Sequence, residues 1–173
     1  MKGHLFIGVR RRRTLYKRMR HFLKYWLPLL IWVGVIFLGS TDLMSAEHTS
    51  RFIVPFLRRL KPDISAETLA SIHFILRKCS HVGEYAVLGL LLLRTGILIT
   101  NFKRSIPILY VSVLGVCLFV AATDEFHQTF VVSRGASVRD IMIDSGGVIL
   151  GLLIASIFRM NRSIRLKKAP ADP

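Results

Sequence analysis

The chain has 173 residues, 52% of them hydrophobic, and sets 25 Lys and Arg against 10 Asp and Glu for a formal net charge of +15. With a mean hydropathy of +0.48 it is too apolar for disorder and for most soluble enzymes, and its apolar residues fall in runs of bilayer length, which makes it a multi-span membrane protein. Basic residues that flank such runs act as orientation signals and contacts to anionic lipid, so the charge does not point to nucleic acid.

In chain order, a basic segment (1–24) carries Arg10 to Arg13, Lys17, Arg18, Arg20 and Lys24 ahead of a first apolar run, Tyr25 to Ser40. Pro28 lies near the start of that run, where proline is tolerated. No clear Ala-x-Ala site follows, so the run is read as a retained helix and not a cleaved signal peptide. Arg51 to Leu60 mixes Phe52, Ile53, Val54, Phe56 and Leu57 with Arg58 and Arg59, a pattern suited to a segment lying in the headgroup layer. Ser65 to Arg77 reads as an amphipathic approach helix with Asp63 or Ser65 as N-cap. Three further runs, Cys79 to Thr100, Ile106 to Thr123 and Ile141 to Phe158, are long enough to cross the hydrocarbon.

The expected fold is all-α: an integral membrane four-helix bundle over 25–158 with an interfacial amphipathic segment between helices 1 and 2, followed by a basic tail, 159–173. Cys79 and Cys117 are the two cysteines, which gives neither a disulfide framework nor a CxxC motif. The segments before span one, between spans two and three, and after span four hold 17 of the 25 basic residues. The positive-inside bias therefore places both termini in the cytoplasm.

That topology gives a depth to each polar residue. Lys78, His81, Glu84 and Tyr85 occupy the first two turns of span two and share one side by helical spacing, with Glu84 about 9 Å below Lys78 along the axis. Asp124, Glu125, His127 and Gln128 close span three, and Asp140 and Asp144 open span four one turn apart. Arg134 and Gly135 occupy the turn between them, where a guanidinium can fork onto an anion. Three separate segments thus bring their costly polar groups to one level at the outer boundary, where ionisable residues ordinarily face a partner or a cavity. Gly83, Gly89, Gly146, Gly147 and Gly151 offer small faces for close helix approach.

Several chemistries fit these residues. His81, Glu84, Asp124 and His127 are candidate catalytic groups, an imidazole serving as general base with a carboxylate to orient it. Lys78, Tyr85, Glu125, Gln128, Arg134, Asp140 and Asp144 are candidate substrate-binding groups. A divalent metal such as Zn or Mn would draw on His81, Glu84, Asp124 and His127, although no diagnostic spacing such as HExxH is present. The bland alternative is a set of ion pairs, such as Lys78 with Glu84, that merely holds the helices in register.

The stretch KCSHVGEYAVLG, with Lys78, His81, Glu84, Tyr85 and Gly89, and the stretch DEFHQTFVVSRGASVRDIMIDSGGVILG from Asp124 to Gly151 resemble the two signatures of the VanZ-like membrane proteins. Gly39, Ser40 and Thr41 in IFLGST are similar to the serine-ended first helix of that family. The resemblance runs roughly from Trp32 to Ile157; one difference is Asp144, where the family often has Asn. It implies a bacterial plasma-membrane protein of the type associated with low-level resistance to teicoplanin, a lipid-bearing glycopeptide. The outer pocket is then expected to bind or modify an amphiphile, either a lipoglycopeptide or an envelope lipid. A small proton- or ion-coupled transporter and a purely structural membrane protein are the alternatives; oligomeric state is left open.

Overall fold

The computed structural model describes the backbone of residues 3–41, 46–99, 106–131 and 135–168. Among the described residues every regular element is a helix: α1 (Gly3–Gly39), α2 (Ala46–Leu60), α3 (Ala66–Ile99), α4 (Ile106–Gln128) and α5 (Val138–Lys168). Four stretches are long and apolar enough to span a bilayer, Arg18–Gly39, Ala66–Leu98, Ile106–Gln128 and Val138–Arg159. The all-α, four-span expectation holds, and α2 is the amphipathic element between the first two spans.

Two boundaries differ from the sequence expectation. α1 starts at Gly3 and runs without a break through the basic segment, because Val9 to Leu27 contains neither Gly nor Pro and is rich in good helix formers. Pro28 is therefore interior to the helix. Its ring removes the donor that would meet the Lys24 carbonyl, and the next carbonyl, that of Tyr25, accepts the Thr95 hydroxyl of α3 at 3.2 Å. The approach helix and span two are likewise one element, α3, since nothing between Ser65 and Val82 breaks it. Ser65 does cap it, its Oγ accepting the Thr68 N–H at 3.2 Å, with Glu67 in the first turn favouring the helix N-terminus.

At 1.5 Å per residue the 34 residues of α3 extend about 50 Å, well beyond a hydrocarbon core of about 30 Å. It is therefore longer by about 20 Å than the layer requires. α3 is the central helix, touching α1, α2, α4 and α5, while α5 packs on α3 and α4. The closest approach is between α3 and α5. A methyl on Gly147 would stand 2.5 Å from the Val82 carbonyl oxygen, and one on Gly151 would collide with the Ala86 carbonyl oxygen. These two glycines, four apart, form the small-residue seam. Gly89 joins it against Val148, whereas Gly83 and Gly146 have nothing within 4 Å.

The interior divides by polarity. Leu88, Leu93, Val113, Cys117, Val148 and Leu152 form an apolar core, and the buried ionisable residues cluster where α1 and α4 end and α5 begins, beside the middle of α3. α2 presents Phe52, Phe56 and Leu60 to its surroundings, at successive four-residue intervals, and turns Ile53 and Leu57 inward. Arg58 and Arg59 occupy its last turn.

Candidate functional site

Helix spacing and short connections bring the polar residues of four helices together at one end of the bundle. Ser40, just past the end of α1, is 2% exposed. Its hydroxyl donates to Asp124 Oδ2 at 2.6 Å. Gln128, one turn beyond Asp124, donates to the same oxygen at 3.1 Å and to Ser40 Oγ at 3.3 Å. Arg77 of α3 closes this network by donating to Gln128 Oε1 at 3.3 Å. A chain of hydrogen bonds thus joins α1, α3 and α4, which suits groups that burial would otherwise leave unsatisfied.

The α3–α5 seam carries two charge pairs. Lys78 pairs with Asp140, and its ammonium also lies 5.2 Å from the Phe74 ring centroid. One turn deeper, His81 Nδ1 is 3.2 Å from Asp144 Oδ1, both side chains being nearly inaccessible. The pairing follows from the register that Gly147 and Gly151 set, since Val82 and Ala86, against which they pack, directly follow His81 and Tyr85 in the chain. The ion-pair expectation for Lys78 is corrected in its partner: Asp140, not Glu84, faces the ammonium. Glu84 lies on another flank of α3, its carboxylate oxygens 3.6 and 4.0 Å from the point where a Cβ on Gly39 would stand. Its backbone carbonyl accepts the Trp32 indole N–H at 2.9 Å.

The remaining predicted residues take different places. Glu125 anchors the start of α5, its Oε2 accepting the Ser137 N–H at 2.7 Å, while Ser137 Oγ accepts the Arg139 N–H at 3.2 Å as an N-cap. Tyr85 is fully buried, its hydroxyl without a hydrogen-bond partner among the described protein atoms. His127 does not join Asp124. Its ring packs edge-on to Phe37 of α1 at 5.9 Å between centroids. Arg134 lies outside the described residues. The four metal-ligand candidates His81, Glu84, Asp124 and His127 therefore face four different neighbours, and among the described residues no group of three or more His, Cys, Asp or Glu is arranged to hold a metal. That ligand set does not fit a metal.

A cavity of about 900 Å³ forms a groove between the last turns of α1, one face of α2 and the first half of α3. Val35, Leu38, Ile53, Val54 and Leu69 are among its apolar lining residues; His73, Arg77, His81 and Glu84 form a polar stripe down α3. Their offsets of four, four and three residues put them on one helical face. Ser50 of α2 joins the lining and lies 3.2 Å from His73 Nε2 through its hydroxyl. Sequence reasoning missed Ser50, His73 and Arg77 as site residues. The stripe was legible in the spacing, but only once the approach helix and span two are read as one helix.

His81 belongs to both features, lining the groove while its Nδ1 meets Asp144. The groove and the buried acidic cluster are thus adjoining parts of one site at that end of the bundle. No curated protein and no solved structure matches the chain. A family model described as VanZ/LLP1 matches residues 25–159, a stretch that holds the last three spans, most of the first, the groove and each side chain of the polar cluster. Its extent over most of the sequence places the protein: the chain belongs to the VanZ/LLP1 family.

Proposed function

We propose that this protein sits in a bacterial plasma membrane with both termini in the cytoplasm and uses the groove at its outer end to bind or modify an amphiphile. The carrying observation is the groove itself, whose apolar walls lead to a polar stripe of His73, Arg77, His81 and Glu84. The positive-inside bias supports the orientation. An acyl chain would lie along Val35, Leu38, Ile53 and Val54 with its head against the stripe. A chain already in lipid gains little from entering an apolar groove, so discrimination falls to the head. A lipoglycopeptide such as teicoplanin and an anionic envelope lipid both carry the acyl chain and polar head that the groove suits. His81 lines the groove with Asp144 3.2 Å behind its imidazole, a placement suited to orienting a polar head. The apolar packing of Leu88, Leu93, Val113 and Val148 favours a binding site over a conduit.

The test fills the groove. Ala70, which is exposed and lines it, is replaced by Trp, and teicoplanin and phosphatidylglycerol are titrated against wild type and A70W in nanodiscs. A loss of tenfold or more in affinity, about 1.4 kcal/mol, with unchanged thermal unfolding is expected for whichever ligand uses the groove. Equal affinity of wild type and A70W for both would overturn the proposal.

A further inference from the structure

We propose that Ser50 and His73 form a nucleophile–base pair that cleaves an ester-linked acyl chain from an amphiphile lying in the groove. The inference rests on the groove being an amphiphile site, as proposed above, and adds a reaction to it. The two residues come from different helices, 23 positions apart in sequence, and meet with Ser50 Oγ 3.2 Å from His73 Nε2. This is the spacing at which an imidazole can take a hydroxyl proton. Both side chains line the cavity, so an ester bound there would be within reach of the hydroxyl.

Arg77 lies one turn beyond His73 on the same face of α3 and lines the same cavity. One terminal nitrogen donates to Gln128, while its Nε is buried without a hydrogen-bond partner among the described protein atoms. A guanidinium held by a neighbour, with donors to spare, is suited to stabilising negative charge on a carbonyl oxygen.

The reaction balances with water as the second substrate. Ser50 Oγ forms a bond to the ester carbonyl carbon as its proton passes to His73 Nε2. The tetrahedral adduct, its oxyanion facing Arg77, collapses with cleavage of the bond between carbonyl carbon and alkoxy oxygen. The alkoxy oxygen takes the proton from His73 and leaves as the alcohol. Water then adds to the acyl-Ser50 carbonyl while His73 removes its proton, and collapse returns that proton to Ser50 Oγ and releases the fatty acid.

The experiment uses full-length protein in nanodiscs with two probes of equal chain length. Dodecyl fluorophosphonate reports nucleophilicity, by mass-spectrometric mapping of the adduct. Unreactive dodecylphosphonate reports groove occupancy, by native mass spectrometry. Wild type is compared with S50A, H73N and A70W. The expected result, with every variant at saturating probe, is an adduct on Ser50 in wild type, none at that position in S50A, and labelling slowed about a hundredfold in H73N, as for loss of a general base. If dodecylphosphonate binds and is displaced by A70W, but Ser50 is labelled no faster than in H73N, the pair merely fastens α2 to α3 and the inference falls while the binding site stands. If wild type and A70W take up dodecylphosphonate equally, the groove proposal fails and the inference with it.

Discussion

Replacing Gly151 by Ala tests whether the α3–α5 seam sets the register of the whole site. A methyl at Gly151 would collide with the Ala86 carbonyl oxygen, and the Ala86 Cα and carbonyl carbon would both lie 3.1 Å away. All three are backbone atoms, so no side-chain rotation relieves the contact. The helices must part by roughly 1 Å to restore ordinary packing, because close-packed interiors hold no spare volume. Overpacking of this kind costs typically 1–3 kcal/mol, and the helix propensity gained on leaving glycine returns up to about 1 kcal/mol. The expected net loss is about 1–2 kcal/mol, a 5- to 30-fold fall in the ratio of folded to unfolded protein. Reversible unfolding in mixed micelles with increasing dodecyl sulfate, followed by far-ultraviolet circular dichroism, measures it. Gly146→Ala is the internal control, since nothing lies within 4 Å of a methyl there. If the two variants shift the midpoint equally, close approach does not set the seam, and the attribution of the His81–Asp144 register to it is wrong.

Two further predictions concern the charge pairs and the orientation. Lys78→Met leaves Asp140, whose side chain is 6% exposed, without the ammonium it faces. Breaking a buried pair from one side costs about 3 kcal/mol or more, so unfolding should shift by that order, and Lys78→Met combined with Asp140→Asn should recover most of it; additive losses would show that the pair is not coupled. Ala136→Cys, placed in the exposed stretch before α5, should react with a membrane-impermeant maleimide added outside intact cells. Reaction only after permeabilisation would invert the proposed topology.

The four spans were legible because hydrocarbon length and composition fix them locally, and the convergence of Lys78, Asp124 and Asp140 at one level followed from alternating direction alone. Partner choice was not legible. Spacing put Lys78 and Glu84 on one helix, but the α3–α5 register set by Gly147 and Gly151 turns Lys78 toward Asp140. In the same way Asp124 and His127 stand together among the catalytic candidates at the end of span three, yet Asp124 meets Ser40 while His127 meets Phe37. The groove was hidden for a different reason. Its walls come from α1, α2 and α3, and its polar stripe begins at His73, nearly two turns before the apolar run read as span two, so a reading that starts the span at Cys79 cuts the stripe apart.

The seams that meet at the site differ in how they are held, and this bears on where a ligand can act. α3 and α5 touch backbone to backbone through Gly147 and Gly151 and leave no volume to admit anything. α1 packs chiefly on α3, and at the polar end it is tied by discrete bonds, Trp32 to the Glu84 carbonyl and Ser40 to Asp124. The groove opens on that bonded side, with Leu38, Gly39 and Glu84 along its edge. A head group engaging Glu84 therefore bears on the α1–α3 seam and not on the closed α3–α5 seam. Movement on ligand binding is therefore expected in the last turns of α1 and in α2, with His81, Asp144 and the α5 register fixed beneath them. Spin labels at Gly34 and Phe56, outside the groove lining, should change separation when the groove fills, and labels at Gly83 and Ile149 should not; movement confined to the second pair would refute this division.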